Sequence, residues 1–290
     1  MRFNMNYQHE FHAGNFADVF KHIALTRILL RLCAKEAAFR YIDTHAGSGF
    51  YCLTRPEAQK PAEWEGGIGR ILAAGHAEES PGAALPYLRI AAPLARLDPP
   101  RYPGSPAIAQ SLLRRQDRML LCELHPRAFA SLKANVGRDS RAKLFAMDGY
   151  MALRAFIPPP ERRGLVLIDP PYEEPGELEH AAEAAARAWR KWPTGIYALW
   201  YPVKDKERAA TIGQRFARRG IGRALRLELQ IDAPAPEGPL SRCGMWIINP
   251  PFELDERAKT LLPWLTKRLG TTRPGYTADW LSAGELPREG

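Results

Sequence analysis

Leu165-Val166-Leu167-Ile168-Asp169-Pro170-Pro171-Tyr172 reads as a buried strand with an abrupt stop. The apolar, partly β-branched run after Gly164 suits a strand covered on both faces. Pro170 must end it, because proline has no N–H to give to a ladder, and Pro171 repeats the refusal. Asp169 is thereby held at the strand's carboxyl end, beside a stiff turn and the aromatic Tyr172. In open α/β sheets that edge is where ligands bind. The plainer reading is a strand-ending turn with an Asp cap. A second stretch, Trp246-Ile247-Ile248-Asn249-Pro250-Pro251-Phe252, has the same form with Asn249 in the acid's place. Order along the chain has to separate the two.

Upstream, Phe39-Arg40-Tyr41-Ile42-Asp43 is a short strand running into Thr44-His45-Ala46-Gly47-Ser48-Gly49. A strand followed by Gly-x-Gly is a nucleotide-binding turn, in which glycine lets the backbone come close to the ligand. A dinucleotide fingerprint would put a third glycine where Cys52 stands, which disfavours a dehydrogenase. By itself the Gly-x-Gly is a weak signal. A doubly wound sheet should continue with a helix and a second strand. Residues 50–103 are instead rich in Pro, Gly and Ala, with short helical patterns and no convincing strand. This predicts an inserted, mainly helical subdomain. Order resumes at Pro103-Gly104-Ser105-Pro106, with Ser105 as N-cap, Pro106 as the first helical residue and a helix from Ala107 to Arg115. If that helix is the postponed partner of the first strand, its N-terminus faces the glycine turn, where free N–H groups suit a carboxylate.

The remaining elements alternate. A strand from Met119 to Leu124 carries Glu123 at its end, placed like an acid that receives ribose hydroxyls. A third, Leu144 to Met147, leads to Asp148-Gly149, and the fourth ends at Asp169. Strands over 196–200, 224–231 and 245–249 follow, separated by helices except before the last. That last connection is a Pro/Gly loop, so the final pair should be an antiparallel hairpin. The first helix runs from Phe16 to Lys35 and carries Asp18, Lys21 and His22. Its plain reading pairs His22 with Asp18, four residues earlier. The tail after Gly270 reads only as a partly ordered extension.

The expected fold class is therefore α/β: a Rossmann-like, seven-stranded, mostly parallel sheet with helices on both faces. Residues 1–49 and 104–290 form that domain, with 1–15 as an N-terminal cap segment and 50–103 inserted. In this order Asp169 ends the fourth strand, beside the first across the switch point. Asn249 ends a strand running the other way, so its turn emerges at the opposite edge. Asp169 is the functional one.

At 290 residues, 46% hydrophobic and 25% charged, the chain has the composition of a globular protein with one large core. No apolar run is long enough to span a membrane, and no secretory leader is evident. The four cysteines show no paired spacing for zinc or redox work, and Cys33 and Cys122 read as buried, reduced thiols. A cytoplasmic protein is expected. Net charge is +9 with pI near 9.5, which favours a polyanionic partner.

Asp169-Pro170-Pro171-Tyr172 resembles the signature of adenosylmethionine-dependent amino-methyltransferases, which act on the exocyclic amine of adenine. The chemistry suits the residues. An aryl amine is a poor nucleophile because its lone pair is delocalised into the ring. A carboxylate and a proline carbonyl accepting its two N–H groups free that lone pair and hold the nitrogen in line with a sulfonium methyl. A tyrosine ring offers a stacking surface to a base taken out of its helix.

Longer stretches then agree. Tyr7-Gln8-His9-Glu10-Phe11-His12-Ala13-Gly14-Asn15-Phe16-Ala17-Asp18-Val19-Phe20-Lys21-His22 resembles the N-terminal signature of the bacterial 23S rRNA adenine-N6-methyltransferase J family (RlmJ). So do Asp43 to Gly49, Tyr102 to Pro106, Glu123-Leu124-His125-Pro126, Asp148-Gly149, Ile168 to Tyr172, and Gly195 to Pro202. The resemblance implies methyl transfer from S-adenosylmethionine, leaving S-adenosylhomocysteine, to one adenine N6 of 23S rRNA, without a metal. It implies a cofactor pocket of His22, His45, Gly47, Gly49, Ser105, Glu123, Asp148, Gly149 and Asp169. Asp169, Pro170 and Tyr172 are the implied catalytic groups. The N-terminal segment would close over the site with Tyr7 near the target adenine and His9 and Lys21 in support, and the inserted segment would grip RNA. A monomer without membrane attachment is expected. The rivals are a DNA adenine-N6-methyltransferase and a catalytically silent RNA-binding protein of the same fold.

Overall fold

The structure, a computed structural model, describes residues 8–73, 79–233 and 238–281. Its ten strands are β1 (Arg40–Asp43), β2 (Phe50–Cys52), β3 (Arg101–Pro103), β4 (Arg118–Cys122), β5 (Ala142–Phe145), β6 (Gly164–Ile168), β7 (Ile196–Pro202), β8 (Ala224–Gln230), β9 (Arg242–Ile248) and β10 (Gly275–Trp280). Its α-helices are α1 (Phe16–Cys33), α2 (Pro56–Gln59), α3 (Arg70–Leu72), α4 (Leu85–Ala95), α5 (Ser105–Leu112), α6 (Pro126–Val136), α7 (Gly149–Ala155), α8 (Glu177–Lys191), α9 (Lys206–Ala217) and α10 (Leu254–Leu269).

Eight strands form one sheet in the order β10-β8-β9-β7-β6-β1-β4-β5. Its centre is parallel: Ile42 of β1 lies between Leu120 of β4 and Val166 of β6. All five residues of β6 are buried, as a strand covered by helices on both faces must be. β1 is flanked by β4 on one side and β6 on the other, so the chain reverses direction of travel across the sheet there. That is the switch point, and the carboxyl ends of β1, β4 and β6 open onto one crevice. Among the described residues no helix is long and apolar enough to cross a membrane.

The sheet has eight strands rather than seven because the tail returns. β10 pairs antiparallel with β8, setting Thr277 opposite Glu228 and Ala278 opposite Leu227. Its sequence, Gly-Tyr-Thr-Ala-Asp-Trp, has only an exposed outer edge and lacks the apolar run of a central strand. The Arg226–Asp279 ion pair helps to fix it. The expected hairpin is present: β8 and β9 pair antiparallel, with Leu227 opposite Met245.

Residues 50–103 hold α2, α3 and α4, but also β2 and β3, which pair antiparallel where the segment leaves and rejoins the sheet. Three residues carry too little pattern to be read as a strand. At the neck, the Gly104 amide donates to the Gly49 carbonyl at 2.8 Å. Ile68, Ile71, Tyr87, Leu88 and Ala91 join one apolar cluster with Phe20, Ile23 and Ile28 of α1. Cys122 and Cys243 are buried, whereas Cys33 is only half-buried, contrary to its reading as a core thiol.

Asn249 lies away from the crevice, as its antiparallel strand requires. Its φ is +52°, a left-handed conformation that asparagine tolerates better than most residues. Its amide donates to the carbonyls of Pro193 (2.6 Å) and Gly195 (2.8 Å), stapling the end of β9 to the start of β7. Asn249→Ala should therefore cost about 1–3 kcal/mol of stability in urea titrations, with methyl-transfer activity per folded molecule unchanged. A folded, inactive variant would show that this second tetrapeptide does the chemistry.

Candidate active site

A cavity of about 1080 Å³ opens at the carboxyl ends of β1, β4, β6 and β7. Its wall contains His9, Lys21, His22, His45, Gly47, Ser105, Glu123, Asp148, Gly149, Asp169, Pro170 and Tyr172, residues scattered over most of the chain. Tyr7 lies outside the described residues. Gly49 is not in the wall. It stands behind the turn, where an added Cβ would press on Val136 and Leu132 of α6. Gly47 sits at φ +60°, and a Cβ there would fall 2.1 Å from the Tyr51 hydroxyl. Only glycine lets this turn lie flat against the cleft.

On the side of β4, Glu123 accepts from the Gly47 amide (2.8 Å) and the His125 amide (2.7 Å). Burial raises its pKa against these hydrogen bonds. Asp148 caps α7 by accepting from the Met151 amide at 2.8 Å, and Gly149 follows with its Cα packed on Thr44 and His45. His45 is held by the Thr44 hydroxyl at 2.8 Å, and burial lowers its pKa to about 4.

The N-cap of α5 is Gly104, not Ser105, which is the first helical residue. The Ser105 hydroxyl donates instead to Asp43 Oδ2 at 2.7 Å, where Tyr41 also donates at 2.7 Å. Asp43 is sealed from solvent, and burial raises its pKa to about 6 despite these donors. The buried acid outcompetes the helix end for the serine. His22 is buried too, and its partner is Tyr102 rather than Asp18: Nδ1 lies 2.7 Å from the Tyr102 hydroxyl. Burial lowers its pKa to about 3.

Asp169 projects from the end of β6 toward α1. Its Oδ2 meets Lys21 Nζ at 2.5 Å. Lys21 also reaches Asp18 Oδ1 at 2.8 Å, and Asp18 Oδ2 takes His9 Nε2 at 3.0 Å and the Gly14 amide at 2.9 Å. Burial works against charge on Lys21, yet Asp169 and Asp18 outweigh it and hold its pKa well above that of a free lysine. Burial likewise opposes charge on Asp18, but His9 and Lys21 keep its carboxyl well below the usual range. No protein group among the described residues bonds to Asp169 Oδ1, which leaves that oxygen for the cleft.

Tyr172 has φ +55°, an uncommon backbone state for an aromatic residue and one that the Pro-Pro turn imposes at the site. Its hydroxyl donates to the Trp200 carbonyl, and the two rings lie 5.7 Å apart at 56°. Lys21 Nζ lies 5.8 Å from the Trp200 ring centroid. At the glycine turn, the Ser48 hydroxyl donates to Glu10 at 2.8 Å, fastening the short 3-10 turn His9–Phe11 over it. Asp18, Trp200 and Glu10 escaped the reading by sequence. Asp18 reads in the sequence as a helix-surface partner of His22, Trp200 as a strand residue, and only folding brings their actual partners to them.

These residues fit an adenosyl-sulfonium ligand. His22 and Asp169 line one cleft, each with a polar atom, Nε2 and Oδ1, that bonds to no protein group among the described residues, and Glu123 and the flat Gly47 turn line it too.

Comparison with known proteins decides the family. Residues 36–282 match the family model described as ribosomal RNA large subunit methyltransferase D, RlmJ. The chain belongs to the RlmJ family. It is 38% identical over 279 residues to the Escherichia coli K12 protein "Ribosomal RNA large subunit methyltransferase J", covering 96% of this chain and 99% of that one. The Haemophilus influenzae protein of the same name is also 38% identical, over 281 residues and the same shares of each chain. The crystal structure of protein LPL1258 from Legionella pneumophila superposes with a TM-score of 0.83 at 36% identity, over 93% of this chain and 99% of that one. The RlmJ model begins at residue 36, so the cap segment and α1, which supply His9, Asp18, Lys21 and His22, lie before it. The matches to the two relatives, over 96% of the chain, are long enough to take in α1.

Proposed function

We propose that this protein transfers a methyl group from S-adenosylmethionine to the exocyclic N6 amine of an adenine in 23S rRNA, as a cytoplasmic monomer. The observation that carries the reading is the state of Asp169: one carboxylate oxygen is anchored by Lys21 and the other faces the cleft beside Pro170 and Tyr172. An amine entering there meets a fixed acceptor. Asp169 Oδ1 and the Pro170 carbonyl accept its two N–H groups, which draws the nitrogen toward tetrahedral geometry and exposes its lone pair. Lys21 stops the carboxylate from rotating away, so the acceptor is already in place when the base arrives. The Tyr172 ring, tied through its hydroxyl to the Trp200 carbonyl, gives the flipped base a rigid face. When bound, the cofactor supplies an electrophilic methyl on a sulfonium. His22, Ser105, Glu123, Asp148 and the glycines at 47 and 149 would hold it.

Labelled methyl transfer to a 23S rRNA transcript, followed by nuclease digestion and mass spectrometry, tests this directly. N6-methyladenosine in the transcript is the expected product. Preference for duplex DNA would overturn the choice of nucleic acid, and failure to bind S-adenosylmethionine in calorimetry would leave only a silent RNA-binding protein. With a net charge of +9, RNA affinity should also be salt-dependent. From 50 to 200 mM salt, filter binding should weaken on the order of tenfold or more, given a few phosphate contacts. A flat response would contradict a phosphate-bound complex.

A further inference from the structure

His22, Tyr102 and Tyr87 form a buried line of hydrogen-bonding groups leading from the cleft into segment 50–103. His22 Nδ1 lies 2.7 Å from the Tyr102 hydroxyl, which lies 3.1 Å from the Tyr87 hydroxyl. The three residues are at most 1% exposed, so water does not complete their bonding. Tyr102 belongs to β3 and Tyr87 to α4, while His22 belongs to α1 and lines the cavity.

Three groups share two contacts, and counting protons fixes their direction. Among the described residues Tyr87 has no hydrogen-bond partner other than Tyr102. If His22 donated from Nδ1, three donors would share two contacts, and one buried O–H, that of Tyr87 or that of Tyr102, would be left without an acceptor. That arrangement costs the desolvation of a hydroxyl, about 1–3 kcal/mol. In the opposite direction Tyr87 donates to Tyr102 and Tyr102 donates to His22 Nδ1. Every buried O–H is then satisfied, and the ring proton is placed on Nε2, the nitrogen that faces the cleft.

We propose that Tyr102 and Tyr87 are positioning residues that hold His22 as a neutral Nε2–H donor for the carboxylate of the cofactor's methionyl end, so that segment 50–103 helps to set cofactor affinity. This rests on the function proposed above for the choice of ligand. An N–H can serve a carboxylate but not an ammonium. Of the ligand's ends, the one that bears a carboxylate belongs here, because α1 packs against α5, while the acids Glu123 and Asp148 follow β4 and β5 on the other side of β1. Burial keeps the ring neutral, so it acts by geometry and not by titration.

The test combines a measurement on ligand-free protein with one on binding. In ¹H–¹⁵N spectra tuned to imidazole couplings, the His22 ring, assigned among seven histidines through His22→Gln, should be the Nε2–H tautomer. Tyr102→Phe should shift it toward Nδ1–H or a mixture. The same variant should bind S-adenosylhomocysteine about tenfold more weakly in calorimetry, and Tyr87→Phe about threefold, with RNA affinity near the wild type. The melting temperature should stay near the wild type in Tyr87→Phe and fall by a few degrees in Tyr102→Phe, which leaves the Tyr87 O–H without its acceptor. KM for the cofactor should rise without a matching fall in kcat. An Nδ1–H ring in the wild type, or unchanged affinity in well-folded Tyr102→Phe, would overturn the proposal. If the wild type bound no such cofactor, the proposed function and this choice of ligand would fall together, while the ring resonances would still decide the tautomer.

Discussion

Asp169→Ala is expected to slow methyl transfer by at least about 10³-fold while changing RNA affinity by no more than about threefold. Loss of one preorganised group that acts on developing charge commonly costs about 10²–10³ in rate. Here the substitution removes more than an acceptor. Lys21 Nζ sits 2.5 Å from Asp169 and 2.8 Å from Asp18, so it loses one of its two counter-charges and is left within the space where the amine must enter. An ammonium facing an amine that becomes positive in the transition state adds an electrostatic penalty. Asp169→Asn separates the two effects. It keeps an acceptor oxygen and the shape of the turn but removes the charge, and should retain more activity than the alanine variant. Single-turnover assays with labelled cofactor give the rates, and filter binding gives the affinity. Equal loss of both in a folded variant would make Asp169 structural and sink the proposed chemistry.

Asp18→Ala should destabilise the protein by about 3–5 kcal/mol, the usual cost of removing one member of a buried ion pair. Asp18 is 2% exposed and serves His9, Lys21 and the Gly14 amide together. Without it, His9 loses its carboxylate partner and the turn that covers the glycine loop loosens. The cofactor's KM and kcat should therefore deteriorate along with the urea midpoint. The sign of the pH dependence follows from the direction of the shift. Its carboxyl is held well below the ordinary 3.8, so the stabilisation is complete above that value and is lost as pH falls through the folded-state pKa. Wild-type stability should thus drop below about pH 4, and Asp18→Asn should flatten that part of the curve. A loss below about 1 kcal/mol for the alanine variant would mean that desolvation cancels the attraction.

What the sequence revealed follows from how local each signal is. The strand before Asp169 was legible because four apolar residues and two prolines leave one conformation open. The glycine turn after β1 and the alternation through α9 were legible for the same reason, with bounds within a few residues of those observed. Ser105 was misread because capping is a local rule, and a buried carboxylate 62 residues away took its hydroxyl. The eighth strand was missed because an edge strand needs no apolar alternation. Asp18 was read with the wrong histidine because helical spacing is visible in a sequence, whereas the return of His9 onto the same carboxylate is not. The inserted, mainly helical segment expected over 50–103 shows how far such signals reach. Its helices could be read, but not the fact that Ile68, Tyr87 and Leu88 share the main core.

The seam where Gly104 bonds to Gly49 bears on how such a protein can diversify. Because both ends of the excursion are sewn together there, loops on its outer face can lengthen without moving Tyr87 and Tyr102 beneath it. Doubling a flexible stretch adds only about 0.6 kcal/mol of closure entropy. Residues grafted onto its outer surface could therefore remodel what the enzyme embraces, while the anchored carboxylate at the opposite side of the crevice keeps its aim.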